Sequence, residues 1–270
     1  MLEEKKKILL EKMSEFAKDD VCIAFSGGVD SSLLLKIACD EAKKYKTDVY
    51  AVTFETNLHP QADLGIARKV AQETGAKHIV LEVNEFDNPD ILKNPVNRCY
   101  LCKKMLFSKL LDFAAEKKIG CVMEGTNEDD LHVYRPGLKA VRELKVYSPL
   151  ADAGLTKPEV RELAMEYGLS VSNRPSAPCL ATRLPYGTVI DPKVLRMIDE
   201  GESFLKSLGL LQVRIRQHGD ITRIEAPKES FTALMKSAED ICAKLQKIGF
   251  RYITLDLQGF RSGSMDEYLD

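Results

Sequence analysis

The first 125 residues alternate between two hydrophobic rhythms. Ile8, Leu9, Leu10, Met13 and Phe16 recur at helical spacing within residues 3–18 and predict an amphipathic helix. Residues 21–25 (VCIAF) form a short apolar run, which predicts a buried strand. A Gly-Gly turn follows, and the apolar stretch 33–42 predicts a helix. Residues 48–55 (DVYAVTFE) read as a second strand, and residues 62–74 as a helix that Gly75 closes. A third strand is expected over 78–83, a helix over 103–118 and a fourth strand over 120–124. Strands alternating with helices of this length indicate βαβ units and a parallel sheet. Strands that are apolar along their whole length fit burial on both faces.

The rhythm then changes. Residues 157–167 (KPEVRELAMEY) predict a helix with Pro158 in its first turn and Gly168 after its end. From there to about residue 190 the chain is rich in Pro, Ser and Asn and shows no period, which suggests an ordered functional loop or a domain junction. A helix over 193–208, strands over 211–217 and 221–226 around the turn His218-Gly219-Asp220, a helix over 229–248 and a strand over 251–256 make a β-β-α-β unit. The expected architecture is an α/β domain over residues 1–190, with a parallel sheet flanked by helices, and a small α+β domain over 191–270.

Composition narrows the function. A chain of 270 residues can bury a sizeable core, and 44% hydrophobic with 30% charged residues is the balance of a soluble globule. Lys and Arg number 39 against 41 Asp and Glu, a net charge of −2, which excludes a nucleic-acid binder working by bulk positive charge. No apolar run is long enough to span a bilayer, and the start MLEEKKK lacks the apolar stretch of a signal peptide. A cytoplasmic protein is expected. Its seven cysteines, an odd number, argue against a disulfide scaffold. Cys22, Cys39, Cys121 and Cys242 lie in apolar or helical surroundings and read as small buried hydrophobes. Cys99, Cys102 and Cys179 do not.

Candidate chemistry begins at Ser26-Gly27-Gly28-Val29-Asp30-Ser31-Ser32, between the first strand and its helix. Two glycines let backbone N–H groups approach an anion, the serine hydroxyls add donors, and the helix N-terminus adds partial positive charge. Asp30 can hold Mg²⁺ bound to phosphates. A Gly-Gly pair alone is an ordinary turn; the full S-G-G-x-D-S after an apolar strand is far more specific. The sequence resembles the ATP pyrophosphatases of the PP-loop type. That resemblance implies a loop gripping the β,γ-pyrophosphate of ATP while a substrate oxygen attacks the α-phosphorus. An adenylate forms, pyrophosphate leaves, and a nucleophile then displaces AMP. The G-x-x-x-x-G-K-[ST] pattern is absent, which disfavours γ-phosphoryl transfer. Gly125-Thr126-Asn127 follow the fourth strand, at the sheet edge where open α/β folds bind ligands. The resemblance implies that they line the nucleotide pocket and that Val52, Thr53 and Phe54 lie near adenine.

Further segments are Arg98-Cys-Tyr-Leu-Cys-Lys103, Tyr134-Arg-Pro-Gly-Leu-Lys139, Pro178-Cys-Leu-Ala-Thr-Arg-Leu-Pro-Tyr-Gly187, Leu255-Asp-Leu-Gln-Gly-Phe-Arg-Ser-Gly263 and the V-R-I-R of residues 213–216. Together with the loop, over residues 20–265, they resemble the LarE family of pyridinium-dicarboxylate sulfur transferases. The resemblance implies an adenine nucleotide α-hydrolase-like fold and adenylation of the carboxylates of pyridinium-3,5-biscarboxylic acid mononucleotide. Each carboxylate would become a thiocarboxylate, in making the nickel-pincer nucleotide of lactate racemase. Cys179 matches the family's sulfur-donating cysteine. In one branch that cysteine gives up its own sulfur and becomes dehydroalanine, and those members lack C-x-x-C. This chain has it, at Cys99 and Cys102. On residue chemistry alone, C-x-x-C is compatible with half a zinc site, with a redox dithiol partnering Cys179, or with unused thiols. The C-x-x-C branch implies three ligands to a [4Fe-4S] cluster, Cys99, Cys102 and Cys179, whose fourth iron carries a hydrosulfide.

Lys103, Lys104, Arg135, Lys139 and Arg183 are cations inside these segments, suited to an α-phosphate or an anionic substrate. Lys104 and Arg183 are the stronger catalytic candidates, beside Asp30 and Cys179. Arg214 and Arg216 occupy alternate positions of one strand, so they share a face and suit a phosphate. They match the family's arginine pair near a subunit interface, with Glu202 and Glu225 as the neighbouring carboxylates, which implies a homo-oligomer. A sulfide or sulfur carrier is the implied donor. Two other functions share the loop. A tRNA thiolase would carry an RNA-binding module or zinc ribbons, and none is seen. An ammonia-using amide ligase needs no cysteine triad.

Overall fold

The structure is a computed structural model that describes residues 1–175, 178–261 and 263–267. In chain order its elements are α1 (Leu2–Phe16), β1 (Val21–Ala24), α2 (Val29–Tyr45), β2 (Val49–Thr56), α3 (Gln61–Thr74), β3 (Lys77–Val83), α4 (Pro89–Leu92), α5 (Arg98–Glu116) and β4 (Cys121–Met123). There follow α6 (Gly137–Glu143), α7 (Pro149–Asp152), α8 (Lys157–Glu166), α9 (Pro192–Ser207), β5 (Arg214–His218), β6 (Ile221–Glu225), α10 (Phe231–Lys236), α11 (Ala238–Ile248) and β7 (Tyr252–Leu255). Two compact units result. The first comprises 1–56, 61–85 and 97–177; the second comprises 57–60, 86–96 and 178–270.

In the first unit the sheet order is β3-β2-β1-β4, and every pairing is parallel. Successive residues of β1 point to opposite faces. Val21, Ile23 and Phe25 enter a core built with α1, α2 and α8. Cys22 enters a second core with Val52, Leu106, Phe107 and Leu110 of β2 and α5. Helices therefore cover both faces, which is why these strands are apolar throughout. The chain runs outward from β1 through β2 to β3 and then returns to β4 on the other side of β1. That reversal opens a crevice at the carboxyl ends of β1 and β4. The turn after β1 carries residues 26–28, and the turn after β4 carries residues 125–127.

The second unit has a mixed sheet, β5-β6-β7, with β5–β6 antiparallel and β6–β7 parallel. His218 pairs with Ile221 across the two-residue turn Gly219-Asp220, and the return to β7 through α10 and α11 gives the parallel pair.

Three expectations are corrected. Helix α5 begins at Arg98 rather than Lys103, so Cys99 and Cys102 lie in its first turns and not outside a helix. The strand expected from residue 211 begins at Arg214, because a Leu211 N–H bond to Gly209 O at 3.0 Å prolongs the turn after α9. The helix expected over 229–248 divides at Ser237, whose φ −104° and ψ 18° leave the helical region. Glu239 and Asp240 then favour a new helix start, where acidic side chains meet the helix dipole. Among the cysteines read as buried, Cys22 and Cys39 are buried, while Cys121 and Cys242 are only partly covered.

Candidate functional site

Gly27 opens the turn after β1 with φ +69°. A side chain there would also put its Cβ 2.9 Å from the backbone N and Cα of Ala67 in α3. Only glycine satisfies both conditions. Gly28 is extended and precedes the first residue of α2. The loop hydroxyls form a small network: Ser26 Oγ lies 3.2 Å from Ser31 Oγ, and the Gly28 N–H donates to Ser26 Oγ at 3.3 Å. Ser31 Oγ donates to Gly28 O, also at 3.3 Å. These bonds are long and weak. Ser32 Oγ is buried without a hydrogen-bond partner among the described residues. A buried hydroxyl without a partner, beside a helix N-terminus and a glycine turn, suits an incoming phosphate oxygen.

Gly125, after β4, packs directly on this loop. A Cβ at that position would lie 2.8 Å from the Ser31 nitrogen. Its neighbours are set by Glu124, which the sequence reading passed over. Buried at the end of β4, Glu124 accepts from Thr126 N at 3.0 Å, Ser148 Oγ at 2.7 Å and Lys103 Nζ at 3.0 Å. Burial alone would raise its carboxyl; the Lys103 charge and these three bonds outweigh it and hold the group below the usual carboxylate range. Lys103, and not Lys104, thus reaches the sheet edge. Asn127 donates from Nδ2 to Asp30 Oδ1 at 3.1 Å, which joins the two turns. Thr53 donates to Phe25 O at 2.8 Å and meets His78 Nε2 at 2.9 Å. With the hydroxyl proton used on Phe25 O, the imidazole proton sits on Nε2. Burial lowers the His78 pKa, with Arg68 adding to the effect. Phe54, also on β2, packs on Phe107 with ring centroids 6.4 Å apart.

Two cations that the sequence reading missed touch the loop. Lys157, the first residue of α8, forms an ion pair with Asp30 Oδ2. Arg174 donates from Nη1 to Gly27 O at 3.3 Å and from Nη2 to Asp63 Oδ1 at 2.5 Å. Lys157 carries a faint sequence signal, a charged side chain beside Pro158 at a helix start. Arg174 carries none, since it lies in the stretch without a period.

The cations taken from the motifs lie elsewhere. Lys104 is about half exposed and bonds Tyr100 OH at 2.9 Å and Glu143 at 3.1 Å. Lys139 reaches the same Glu143, at 3.9 Å, and the face of Tyr100. Arg135 is exposed and pairs with Asp130 at 2.6 Å. Cys99 and Cys102 are three residues apart on α5, hence on one helix face, and Arg98 donates toward Cys99 Sγ at 3.6 Å. Two thiols on one helix face form a donor set of the kind that iron takes. Cys179 belongs to the second unit. Among the described residues, no three His, Cys, Asp or Glu side chains come together as a metal site.

In the second unit Cys179 starts a turn of 3-10 helix, Leu180–Arg183. Arg183 is 1% exposed and holds that turn. Its Nη1 donates to Pro178 O at 3.0 Å, Cys179 O at 3.2 Å and Thr182 Oγ1 at 2.9 Å. Its Nε and Nη2 form a bidentate pair with Glu202 at 2.8 and 2.9 Å. Arg216 braces the same turn through Thr182 O at 2.8 Å and pairs with Glu225. Glu225, fully buried, also accepts from Ser264 and Arg223. Arg214 lies over the Phe260 ring and donates to Val213 O. Burial, with Arg183 and Arg216 nearby, lowers its pKa to about 10.

A parallel α/β sheet with S-G-G-V-D-S at its switch point defines an ATP-using enzyme of the PP-loop class, and residues 12–107 match the asparagine synthase family. The chain is 37% identical to the pyridinium-3,5-bisthiocarboxylic acid mononucleotide synthase of Lactiplantibacillus plantarum, over 92% of this chain and 90% of that one. It belongs to that enzyme's family. A Synechocystis protein, slr1717, is 38% identical over 100% of this chain and 99% of its own. The tRNA-specific 2-thiouridylase of Rickettsia bellii shares 26% identity over 57% of this chain and 51% of that protein. Among the described residues no helix is long and apolar enough to cross a membrane.

Proposed function

We propose that this protein is an ATP-dependent sulfur transferase that acts on pyridinium-3,5-biscarboxylic acid mononucleotide and converts its carboxylates to thiocarboxylates. The observation that carries this reading is an intact S-G-G-V-D-S turn in a chain that aligns over nine-tenths of its length with the L. plantarum synthase. The turn of residues 26–28 and the hydroxyls of Ser31 and Ser32 receive the β,γ-pyrophosphate. Asp30 is the residue that would hold Mg²⁺ on the phosphates, which would free Lys157 to neutralise phosphate charge. A substrate carboxylate oxygen attacks the α-phosphorus, and the P–O bond to pyrophosphate breaks. Sulfur then attacks the acyl carbon and AMP departs.

The cations divide between anions of the substrate. Arg135 and Lys139 attract its carboxylate groups and Arg214 its phosphate, whereas Arg216, with all three guanidinium nitrogens used by Glu225 and Thr182 O, braces the turn as Arg183 does, and the second unit forms the homo-oligomer contact. Arg183 fixes the backbone that carries Cys179, because every nitrogen of its guanidinium is already used within the unit. Cys99, Cys102 and Cys179 are the residues that would hold a [4Fe-4S] cluster, and the chemistry it would supply is the delivery of sulfide sulfur. Without it, Cys179 itself is the donor and ends as dehydroalanine.

The test is AMP and thiocarboxylate production from ATP, Mg²⁺ and the dicarboxylate by anaerobically purified protein. Asp30→Asn should abolish AMP release; undiminished release would sink the ATP-site assignment. Iron and acid-labile sulfide near four each per chain, lost on Cys99→Ala, support the cluster. No iron, with Cys179 lighter by one H₂S after turnover, assigns the sulfur to Cys179.

A further inference from the structure

Arg174 touches no motif residue by sequence, yet its guanidinium closes on the carbonyl of the first loop glycine. The Gly27 C=O and the Gly28 N–H belong to one planar trans peptide, so they point in opposite directions. Whatever holds the carbonyl also aims the N–H. Gly27 at φ +69° is the residue type for which a peptide flip costs least. In the flipped state a carbonyl oxygen, not an N–H, would face an incoming phosphate.

Three contacts oppose that flip. Arg174 Nη1 donates to Gly27 O at 3.3 Å. Asp63 on α3 holds the other end of the guanidinium at 2.5 Å, with both side chains only about a fifth exposed. Arg161 of α8 fixes the Arg174 backbone, donating to Arg174 O at 2.8 Å and Ser172 O at 2.6 Å. Of the loop's internal bonds, the Gly28 N–H contact with Ser26 Oγ at 3.3 Å touches this peptide, and it is no shorter than the Arg174 contact, so the two hold the peptide together. Asp63 also neutralises the guanidinium, which keeps it on the carbonyl instead of competing for the anion.

We infer that Arg174, held by Asp63 and Arg161, is a positioning residue for nucleotide binding: it locks the Gly27–Gly28 peptide so that the Gly28 N–H stays on its Ser26 Oγ side, where that weak 3.3 Å contact can be shared with the pyrophosphate of ATP. The inference rests on the PP-loop reading and assigns it a residue outside the motif. The lock acts on the bound nucleotide, before any sulfur chemistry.

The experiment is calorimetric binding of α,β-methylene-ATP with Mg²⁺, which needs neither acceptor nor sulfur source. Wild type, Arg174→Ala, Arg174→Lys and Asp63→Asn are compared. A charge-assisted hydrogen bond of this kind sets the scale, and Arg174→Ala should weaken binding by about tenfold to a hundredfold. Asp63→Asn should weaken it less, and Arg174→Lys should recover part of the loss, because an ammonium can still donate to Gly27 O. Urea midpoints of Asp63→Asn and Arg174→Lys separate the lock from simple unfolding: affinity should fall while the midpoints stay near wild type. Equal affinity in wild type and Arg174→Ala overturns the inference and leaves the ATP site standing. Affinity that falls only in step with the urea midpoint overturns it too. No binding by wild type overturns the ATP site itself.

Discussion

The two units handle charge in opposite ways. In the first, the ion pairs at the loop keep access to water: Asp30 with Lys157 and Asp63 with Arg174 have side chains 18–31% exposed. In the second, Arg183 and Glu202 are each 1% exposed and doubly bonded, and Glu225 has no exposure at all. A pair that keeps access to water loses less when a ligand takes one partner, because water and the ligand compensate. A buried pair that loses a partner leaves a charge stranded in a medium that solvates it poorly. An arginine inside a motif can therefore be frame or ligand, and burial with donor count separates the two. Arg183 sits in the motif and is frame; Lys157 sits outside it and faces the loop.

The sharpest way to break this contrast is Arg183→Ala. It should destabilise the second unit by about 3–5 kcal/mol, the cost of an unpaired buried carboxylate, seen as a large drop in its urea midpoint. An unchanged midpoint with altered turnover would make Arg183 a ligand after all. Next is Gly27→Ala, which forces a positive φ and a Cβ against the Ala67 backbone. The expected loss is about 1–3 kcal/mol together with nucleotide binding; a variant that binds ATP normally would show that the loop is not held where it is described. Lys157→Met should change stability by less than about 1 kcal/mol while lowering AMP formation markedly, as an exchangeable pair predicts. A larger stability loss than activity loss would move this pair into the frame class.

The acid limb gives a subtler test. The folded Glu124 carboxyl sits below its unfolded value, so its stabilisation is complete above the ordinary glutamate range and is lost as pH falls through the depressed folded value. Glu124→Gln should flatten the fall of the urea midpoint between about pH 5 and pH 3. An equally steep fall would assign it to other carboxylates. The smallest effect is expected at Lys104→Ala, where no change in urea midpoint should be measurable, since its pair with Glu143 is open to solvent.

Much of the first unit was legible in the chain because helix and strand periods are local properties. The four strands, the turn at 26–28 and the parallel sheet all follow from patterns a few residues long. The start of α5 was misplaced because polar Arg98, Lys103 and Lys104 around C-x-x-C mask the apolar stripe that begins at Leu106. The break at Ser237 was missed because serine is an ordinary helix residue until the chain must turn there. The Arg183–Glu202 pair was read as two separate site residues, since the sequence marks charges but not their burial.

What the sequence alone determined is the class of fold, the phosphate loop and the residue types able to act there. Which charge meets which was decided by tertiary structure. Asp30 and Lys157 are 127 positions apart, and Asp63 and Arg174 are 111 apart. Pairs at such separations leave no periodic trace, because the chain between them sets their distance only through the packing of every element it crosses. An ion pair's strength then depends on the water excluded around it, which is a property of the assembled unit and of no segment by itself.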